Sequence, residues 1–353
     1  KAIELNPNFA EAHLNLGNIL KEFGKLYAAE LATRKAIELN PNFAEAHSNL
    51  GSILMDLGKF HEAELSYLKA IEIKKDFAMA YFCLSILRYS NKNTIWKDYL
   101  FSENILINKQ KDELVNIYFA RSNILHKENN YKESSRYLKL ANQLKLDIKP
   151  SKPAIIINKS KVLLIESEKK EINQKKYNNP PETIFIVGMF RSGSSLLESI
   201  LSMNTNVDDL GEIQILEEAF LKSTKVDNTL TLAEEYWKKI KDLKKQANIT
   251  TNKNLFNYQY TGIIAKKIPN TKIIHCFRNP LDNILSIYRA HFARGNEYSS
   301  SLVDSANIYL NQDEVITEYK NRFPSKIYDL NYDLLVSNPH KEIQSLISWL
   351  GWK

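Results

Sequence analysis

A glycine-bearing segment of the chain can bind an anion through its backbone. It lies between the apolar run 183–187 and a helical stretch over 196–203, and it reads Gly188-Met189-Phe190-Arg191-Ser192-Gly193-Ser194-Ser195. A turn between a buried strand and a helix directs backbone N–H groups and the positive helix end at one point, which favours phosphate. The glycines have the spacing of a P-loop, but Ser194 stands where the P-loop lysine would follow Gly193. The loop carries its cation internally, as Arg191.

A second strand–helix junction brings an arginine and a serine within reach of one anion. The apolar run 272–277 predicts a buried strand, and Asn279 and Pro280 suit the N-cap and the first position of a helix. Arg278 therefore lies at the carboxyl end of a strand, where α/β sheets bind ligands. Ser286 follows about two helical turns later and can face the same anion.

Together these segments resemble the nucleotide-binding motifs of sulfotransferases that use 3′-phosphoadenosine 5′-phosphosulfate (PAPS). The run I-F-I-V-G-M-F-R-S-G-S-S-L-L is similar to their phosphosulfate loop, closest to the tyrosylprotein sulfotransferase branch and to bacterial proteins that join tetratricopeptide repeats to such a domain. Phe190 replaces the usual proline, and two serines replace the usual threonines. The resemblance implies that the 5′-phosphosulfate is bound by Arg191, Ser192, Gly193, Ser194 and Ser195. It also implies that Arg278 and Ser286 bind the 3′-phosphate.

The same resemblance implies three further site residues and no metal. Glu212 matches the family's general base, Lys253 its cationic helper, and Tyr332 a residue that contacts the nucleotide. The flanking residues depart from the family pattern at Asn252, Leu255 and Asp333. On the residues alone, Glu212 could instead be the N-terminal carboxylate of a helix over 213–222, and Tyr332 could be a packed aromatic.

Two histidines lie near these motifs. His275 is flanked by apolar residues within the strand 272–277 and is predicted to be a satisfied core histidine rather than a catalytic one. His291 is the next candidate for the base if Glu212 does not serve.

The elements that must hold these residues are predicted to form an α/β, P-loop-like domain with a parallel sheet over 181–353. The segment 146–180 contains helix-breaking prolines and many lysines, which predicts a linker with one polar helix over 158–174. We therefore place the domain boundary near Pro180. Members of the family continue beyond the position of Lys353, so we expect the domain to be incomplete at its C-terminus.

Residues 1–145 repeat with a period of 34. The heptapeptide KAIELNP occurs at 1–7 and at 35–41, and Gly17 and Gly51 share one repeat position. This pattern resembles the tetratricopeptide repeat family and implies an α-solenoid that begins in mid-repeat. By fold analogy, its concave face would bind a protein or peptide partner.

Further repeat positions carry structural predictions. His13 and His47 are equivalent, which favours a periodic structural role over a ligand role. The third unit loses the pattern around 91–96. A fourth unit aligns with an insertion of three residues, so that Ser122, Tyr131 and Ser134 take the positions of Gly51, Phe60 and Ala63.

Charge and composition exclude several classes of protein. The net charge of +7 lies before residue 181, because residues 181–353 carry 20 Lys+Arg and 20 Asp+Glu. We interpret the excess as a solvated surface and predict no nucleic-acid partner. No apolar run is long enough to span a bilayer. Cys83 and Cys276 offer neither a disulfide framework nor metal spacing, which favours a reducing, cytoplasmic location.

Two functions outside sulfuryl transfer stay open. A P-loop kinase or NTPase would need a lysine after Gly193 and a Walker-B aspartate, and neither is evident. A non-catalytic repeat scaffold would not need Arg191, Glu212 and Arg278 together. A glycosyltransferase is less favoured, because the loop at Gly188 does not suit one.

Overall fold

The computed structural model describes residues 2–87, 95–169, 176–243, 247–292 and 295–352. The chain divides into two compact units, Lys1–Pro150 and Ser151–Lys353. Among the described residues, no helix has both the length and the apolar character needed to cross a membrane.

In the part of the first unit that the structure describes, the regular elements are helices. Its α-helices are Ala2–Leu5 (α1), Ala10–Glu22 (α2), Leu26–Leu39 (α3), Ala44–Asp56 (α4), Phe60–Ile73 (α5), Ala78–Ile86 (α6), Ile95–Phe101 (α7), Lys111–Lys127 (α8) and Tyr131–Ile148 (α9). Residues 88–94, which include most of the predicted pattern break, lie outside the described residues. The helical repeat unit predicted from the 34-residue period is confirmed.

Close packing between paired helices explains the repeated glycine. A Cβ on Gly51 would lie 2.7 Å from Cε1 of Tyr67, so a side chain on α4 would displace the ring that α5 packs against it. In the fourth unit Ser122 takes this position. Its hydroxyl donates to the carbonyl of Ser134 at 2.9 Å, and the Ser134 hydroxyl donates back to the carbonyl of Ser122 at 2.8 Å. The two serines therefore join α8 to α9 at the aligned repeat positions.

The equivalent histidines have equivalent partners. Nε2 of His13 lies 2.9 Å from the carbonyl oxygen of Pro7, and Nε2 of His47 lies 3.0 Å from that of Pro41. Each ring thus binds the turn that precedes its own helix. The periodic structural role predicted for them is confirmed.

The second unit is an α/β domain built on a five-stranded parallel sheet. Its strands are Glu182–Gly188 (β1), Val207–Asp209 (β2), Ile249–Asn252 (β3), Thr271–Phe277 (β4) and Ile327–Asn331 (β5). Its α-helices are Pro153–Glu166 (α10), Ser194–Leu201 (α11), Ile215–Ser223 (α12), Leu232–Asp242 (α13), Thr261–Lys267 (α14), Pro280–Arg289 (α15), Leu302–Arg322 (α16), Tyr332–Ser337 (α17) and Pro339–Leu350 (α18). The predicted fold class is confirmed.

Strand order sets which loops become neighbours. The order is β2-β3-β1-β4-β5 with every pair parallel, so β1 is central and lies between β3 and β4. Phe185 and Val187 pack into the core on one face, whereas Ile184 and Ile186 pack on the other. Because all strands are parallel, the loops that follow β1, β3 and β4 meet at one edge of the sheet.

Helix α10 departs from the predicted linker over 146–180. Helix α9 continues to Ile148, and α10 begins at Pro153 and ends at Glu166, earlier than the polar helix predicted over 158–174. Residues 170–175 of the predicted linker lie outside the described residues. The helix belongs to the second unit because Leu163 enters its core and the Ser160 hydroxyl lies 3.3 Å from that of Tyr258. The sequence predicts a linker here because prolines and lysines are frequent in this segment, and the packed residues of the helix carry no separate signal.

Candidate active site

The loop between β1 and α11 adopts a backbone that requires unusual dihedral angles. Arg191 has φ of 67° and Gly193 has φ of 90°, both in the left-handed region, and α11 begins at Ser194. Arg191 and Ser195 are exposed at the loop surface, whereas Ser192 and Ser194 are buried. Holding an arginine in this conformation costs energy, and such strain is concentrated at ligand sites.

A tyrosine packs directly against the second glycine of the loop. A Cβ on Gly193 would lie 2.0 Å from Cδ2 of Tyr332, so the close approach requires glycine. The centroid of the same Tyr332 ring also lies 5.1 Å from the guanidinium carbon of Arg278. Tyr332 is therefore a packed aromatic that also joins the two predicted anion-binding segments.

The two anion-binding segments meet through direct hydrogen bonds. Nε of Arg191 donates to the Ser286 hydroxyl at 3.2 Å, and Nδ2 of the buried Asn283 donates to the carbonyl of Phe190 at 3.0 Å. Both partners are on α15, which follows β4. The structure thus brings Arg191 and Ser286 together although 95 residues separate them in the chain.

Arg278 lies at the predicted strand–helix junction with unused hydrogen-bonding capacity. Its Nε is buried and has no hydrogen-bond partner among the described residues. Carboxylate oxygens of Asp282 and Asp333 lie 3.9 Å from its guanidinium nitrogens, beyond hydrogen-bond distance. Asn279 caps α15 by accepting from the backbone of Leu281 at 3.0 Å. A donor left free in this way is suited to an anionic ligand.

Lys253 lies between the loop and the predicted base. It follows β3, its side chain is only 9% exposed, and its Nζ donates to the Ser195 hydroxyl at 3.2 Å and to Oε1 of Glu212 at 2.9 Å. The backbone N–H of Lys253 also donates to the carbonyl of Gly211 at 2.9 Å. The chain after β2 is thereby held beside the chain after β3, which brings Glu212 into the site.

Glu212 does not begin the following helix. Helix α12 begins at Ile215, so Glu212 lies before it, with its side chain 54% exposed. The predicted helix over 213–222 starts too early, because the chain from Gly211 is still paired with the chain after β3. Its contact with Lys253 and its position in the cleft set this carboxylate apart from a surface helix cap.

Glu198 is a site residue that the sequence analysis missed. It is buried on α11, with Oε1 accepting from the Thr251 hydroxyl at 3.0 Å and Oε2 lying 3.7 Å from Nζ of Lys253. Burial raises the pKa of the Glu198 carboxyl above its ordinary value, while Lys253 and Thr251 act in the opposite direction. A glutamate on a short amphipathic helix carries no local signal of this role.

Eight of the predicted site residues line one cleft of about 870 Å³. The predicted residues that line it are Arg191, Gly193, Ser194, Ser195, Glu212, Arg278, Ser286 and Tyr332. Lys253 contributes from below the surface, through its bonds to Ser195 and Glu212. The size and the mixture of polar and apolar lining suit a nucleotide together with a second ligand.

Phe190 gives the loop an aromatic support in place of the family's proline. Its ring centroid lies 5.5 Å from that of Phe256 and 5.3 Å from that of Phe292, both in edge-to-face geometry. Such contacts stabilise by about 0.5–1.5 kcal/mol each, beyond burial. The loop is therefore held by packing rather than by a fixed proline dihedral.

Neither histidine considered from the sequence is positioned as the base. His275 is 2% exposed, its Nδ1 lies 2.9 Å from Oδ1 of Asp329, and Gln312 Nε2 lies 3.0 Å from its Nε2. Burial lowers the pKa of His275, and the bond to Asp329 opposes that change. The predicted satisfied core histidine is confirmed. In the segment of His291 it is Phe292 that lines the cleft.

Comparison with known proteins finds a family match within each unit. Residues 181–353 match the model described as the sulfotransferase family, and residues 1–30 and 44–77 match models described as the tetratricopeptide repeat. Each unit is therefore similar over these residues to one of the two families. The resemblances stated from the sequence motifs are confirmed at this level.

Individual relatives are more distant. A protein of Aquifex aeolicus (strain VF5), described as uncharacterized, is 29% identical over 198 residues, with 48% of this chain and 26% of the relative covered. The chain thus spans about a quarter of that relative's length.

Solved structures also match each unit. A sulfotransferase domain from the curacin biosynthetic pathway is 17% identical with a TM-score of 0.38, covering 49% of this chain and 75% of that one. A sulfotransferase domain from the Synechococcus PCC 7002 olefin synthase is 17% identical with a TM-score of 0.36, covering 52% and 78%. The repeat protein YrrB is 17% identical with a TM-score of 0.29, covering 48% and 84%.

Proposed function

We propose that the second unit transfers a sulfuryl group from PAPS to a hydroxyl or amine acceptor. The family match supports sulfuryl transfer in general. The observation that carries the finer proposal is Lys253, which donates both to Ser195 in the anion-binding loop and to Glu212 across the cleft. An in-line transfer from a phosphosulfate is helped by a cation at the bridging oxygen and by a base at the acceptor, and Lys253 contacts both the loop and the proposed base.

On the donor side, the loop and α15 supply the anion contacts. In this proposal Arg191 and the backbone N–H groups from Ser192 to Ser195 hold the phosphosulfate, where the positive end of α11 adds to the field. Arg278 and Ser286 hold the 3′-phosphate. The free Nε of Arg278 and the 3.2 Å bond between Arg191 and Ser286 support a shared anionic ligand here.

On the acceptor side, Glu212 accepts the proton of the attacking group. The acceptor oxygen forms a bond to sulfur while the bond from sulfur to the bridging oxygen of the phosphosulfate breaks, and adenosine 3′,5′-bisphosphate leaves with the bond electrons. Lys253 and Arg191 stabilise the negative charge that develops on that bridging oxygen. Glu198 and Thr251 keep Lys253 in place from beneath.

Binding of adenosine 3′,5′-bisphosphate tests the donor site. Calorimetry should detect binding to the wild-type chain without Mg²⁺. Arg278→Ala should make the binding free energy of this ligand less favourable by about 2–4 kcal/mol, because a buried guanidinium–phosphate contact is lost. The same substitution should change the binding of AMP much less. An equal loss for both ligands would refute the assignment. Dependence on Mg²⁺ and a preference for ATP would instead favour a P-loop kinase.

The repeats support a proposal about partners. We propose that the first unit recruits a protein or peptide on its concave face, since tetratricopeptide repeats match residues 1–30 and 44–77. A cytoplasmic location is proposed with it, because Cys83 and Cys276 are free and buried. Crosslinking in cells, with the repeat unit compared against the full chain, tests both.

A further inference from the structure

The peptide group that joins Arg278 to Asn279 is hydrogen-bonded on both sides. Its carbonyl, on Arg278, accepts from the hydroxyl of Tyr309 on α16 at 3.3 Å. Its N–H, on Asn279, donates to Oδ2 of Asp333 on α17 at 2.8 Å. Because a peptide group is planar, partners at both ends fix how the whole plane is turned about the Cα atom of Arg278. Two helices that are distant in sequence thus set the backbone at this residue.

This peptide group lies where β4 passes into α15, so its orientation affects both contacts proposed for the 3′-phosphate. Arg278 precedes it, and Asn279 follows it and caps α15 by accepting from the backbone of Leu281 and Asp282. Ser286 is on the helix that begins here. A rotation of the peptide plane would therefore turn the guanidinium and move the helix that presents the Ser286 hydroxyl.

Helix α16 is fixed to the strand that leads into this peptide group. Nε2 of Gln312, three residues after Tyr309, lies 3.0 Å from Nε2 of His275 on β4. Gln312 is 2% exposed and Tyr309 is 8% exposed, so water has little access to either contact. The ring of Tyr309 also packs in one buried cluster with Ile287 of α15. The Tyr309 hydroxyl is therefore held in place by the packing of its helix.

Tyr309 and Asp333 act through Arg278 rather than on a ligand. The described residues that line the cleft include Arg278 and Ser286 but neither Tyr309 nor Asp333. Oδ1 of Asp333 lies 3.9 Å from Nε of Arg278, and that nitrogen has no hydrogen-bond partner among the described residues. With Nε unpaired, the direction of the Arg278 side chain depends on its backbone and on packing against the ring of Tyr332.

We propose that Tyr309 and Asp333 are positioning residues, which hold the peptide after Arg278 and so direct its guanidinium at the 3′-phosphate. The inference rests on the proposed binding of that phosphate by Arg278. An arginine whose backbone is held before the ligand arrives loses less freedom on binding, which makes binding tighter. A nucleotide without a 3′-phosphate gains nothing from this arrangement, so the effect is specific to one phosphate.

The carbonyl side is tested by removing the hydroxyl of Tyr309. Tyr309→Phe should weaken binding of adenosine 3′,5′-bisphosphate about three- to tenfold, the size of one hydrogen bond. Binding of AMP, measured by displacement calorimetry on the full chain, should stay nearly unchanged. Tyr319→Phe is the matched control, because Tyr319 is on the same helix and its hydroxyl donates to another backbone carbonyl, that of Gln259, at 3.0 Å. It should leave the ratio of the two affinities unchanged.

The N–H side is tested by two substitutions of Asp333. Asp333→Asn and Asp333→Ala remove the same charge, but only asparagine retains an oxygen that can accept from the N–H of Asn279. The difference between the two variants therefore isolates the hydrogen bond from the electrostatic effect on Arg278. Asp333→Ala should bind the bisphosphate about three- to tenfold more weakly than Asp333→Asn does.

Contrary outcomes separate this inference from the proposed function. If Arg278→Ala weakens the bisphosphate selectively but Tyr309→Phe leaves the ratio of the two affinities unchanged, the positioning role is refuted alone. A change of this ratio in Tyr319→Phe as large as in Tyr309→Phe, or equal affinities of the two Asp333 variants, also overturns it. If the wild-type chain binds no bisphosphate, the proposed function falls and the inference falls with it.

Discussion

At the scale of single residues, the site depends on how Lys253 is shared. Its ammonium lies among three groups of different exposure, the Ser195 hydroxyl, the Glu212 carboxylate and the buried Glu198 carboxylate. Because Glu198 contacts the lysine from the protein interior, we expect the ammonium to stay in place when a ligand competes for Glu212. The proposed base, Glu212, and the carboxylate proposed to position the cation, Glu198, are thus different residues.

The exposed carboxylate is expected to matter for turnover and not for nucleotide binding. Glu212→Gln should lower kcat by about 10²–10⁴-fold, the contribution of a positioned general base, while the affinity for adenosine 3′,5′-bisphosphate stays nearly unchanged. Steady-state kinetics with PAPS and a cognate acceptor, together with calorimetry, measure the two effects. Arg191→Ala should damage both, because it removes a phosphosulfate contact.

A matched control is available for this test. Glu218→Gln removes a carboxylate of α12 that pairs with Lys239 away from the cleft, and it should leave kcat unchanged. Near-normal turnover in Glu212→Gln would show that the base is elsewhere.

The raised pKa of the buried Glu198 predicts how stability changes with pH. Since the pKa of folded Glu198 is raised above its unfolded value, the stability it contributes is fully present below that unfolded value and is lost as pH rises through the folded pKa. Glu198→Gln cannot ionise, so its free energy of unfolding should improve relative to wild type as pH rises from about 4 towards 7. Urea titrations across this range measure the difference.

Asp329 provides a control, because its pKa is shifted in the direction opposite to that of Glu198. Burial acts to raise its pKa, but bonds to His275 and Lys320 outweigh burial and lower it. Its stabilisation is therefore present above the unfolded pKa and lost as pH falls, so Asp329→Asn should be least harmful in acid. Stability curves for wild type and Glu198→Gln that run parallel would contradict the account of Glu198.

At the scale of elements, the loop after β1 is shaped by α17, which follows β5 at the end of the sheet. The first residue of α17, Tyr332, occupies the space that a side chain on Gly193 would need, and it also contacts Arg278. A change in the loop should therefore be transmitted to the second anion site through one ring. We therefore expect the geometry of the loop and the position of Arg278 to be coupled.

Gly193→Ala tests this coupling. The substitution places a side chain at positive φ, which costs about 1–2 kcal/mol, and a clash with Tyr332 adds about 1–3 kcal/mol. We expect lower stability and weaker binding of adenosine 3′,5′-bisphosphate. Gly351→Ala is the control, because Gly351 has φ of 72° with nothing within 4 Å of its added Cβ. Equal effects of the two substitutions on stability and binding would refute the coupling.

At the scale of the whole molecule, the packing of α10 sets where the second folding unit begins. Helix α10 buries Leu163 in the core beneath the sheet and provides part of the cleft. A fragment that starts at the family boundary, residue 181, would lose both. The second unit should accordingly need residues from 151 onward.

Limited proteolysis with subtilisin, which cleaves exposed chain after many residue types, checks this expectation. Residues 149, 150 and 152 between α9 and α10 are exposed, so early cleavage in this connection should release two stable fragments. Cleavage within α10 should be slow because the helix is packed. Rapid loss of α10 with the rest of the second unit intact would support the originally predicted boundary near Pro180.

The sequence by itself determined the features that depend on neighbouring residues. The 34-residue period, the apolar strands at 183–187 and 272–277, and the strand–loop–helix signature at Gly188–Ser195 are all local patterns. The helical repeat unit, the parallel sheet and the two family resemblances followed from them and are confirmed. The individual roles of Arg191, Glu212 and Lys253 came from the resemblance and stay predictions.

Only the tertiary structure decided which distant residues meet. The strand order β2-β3-β1-β4-β5 places residues 53 and 95 positions apart in contact, as Glu198 with Thr251 and Arg191 with Ser286. The structure also shows that α10 belongs to the second unit. The sequence of this helix contains exposed lysines and does not show which of its residues pack against the sheet. Burial and pairing depend on the sheet, and no local pattern of residues encodes them.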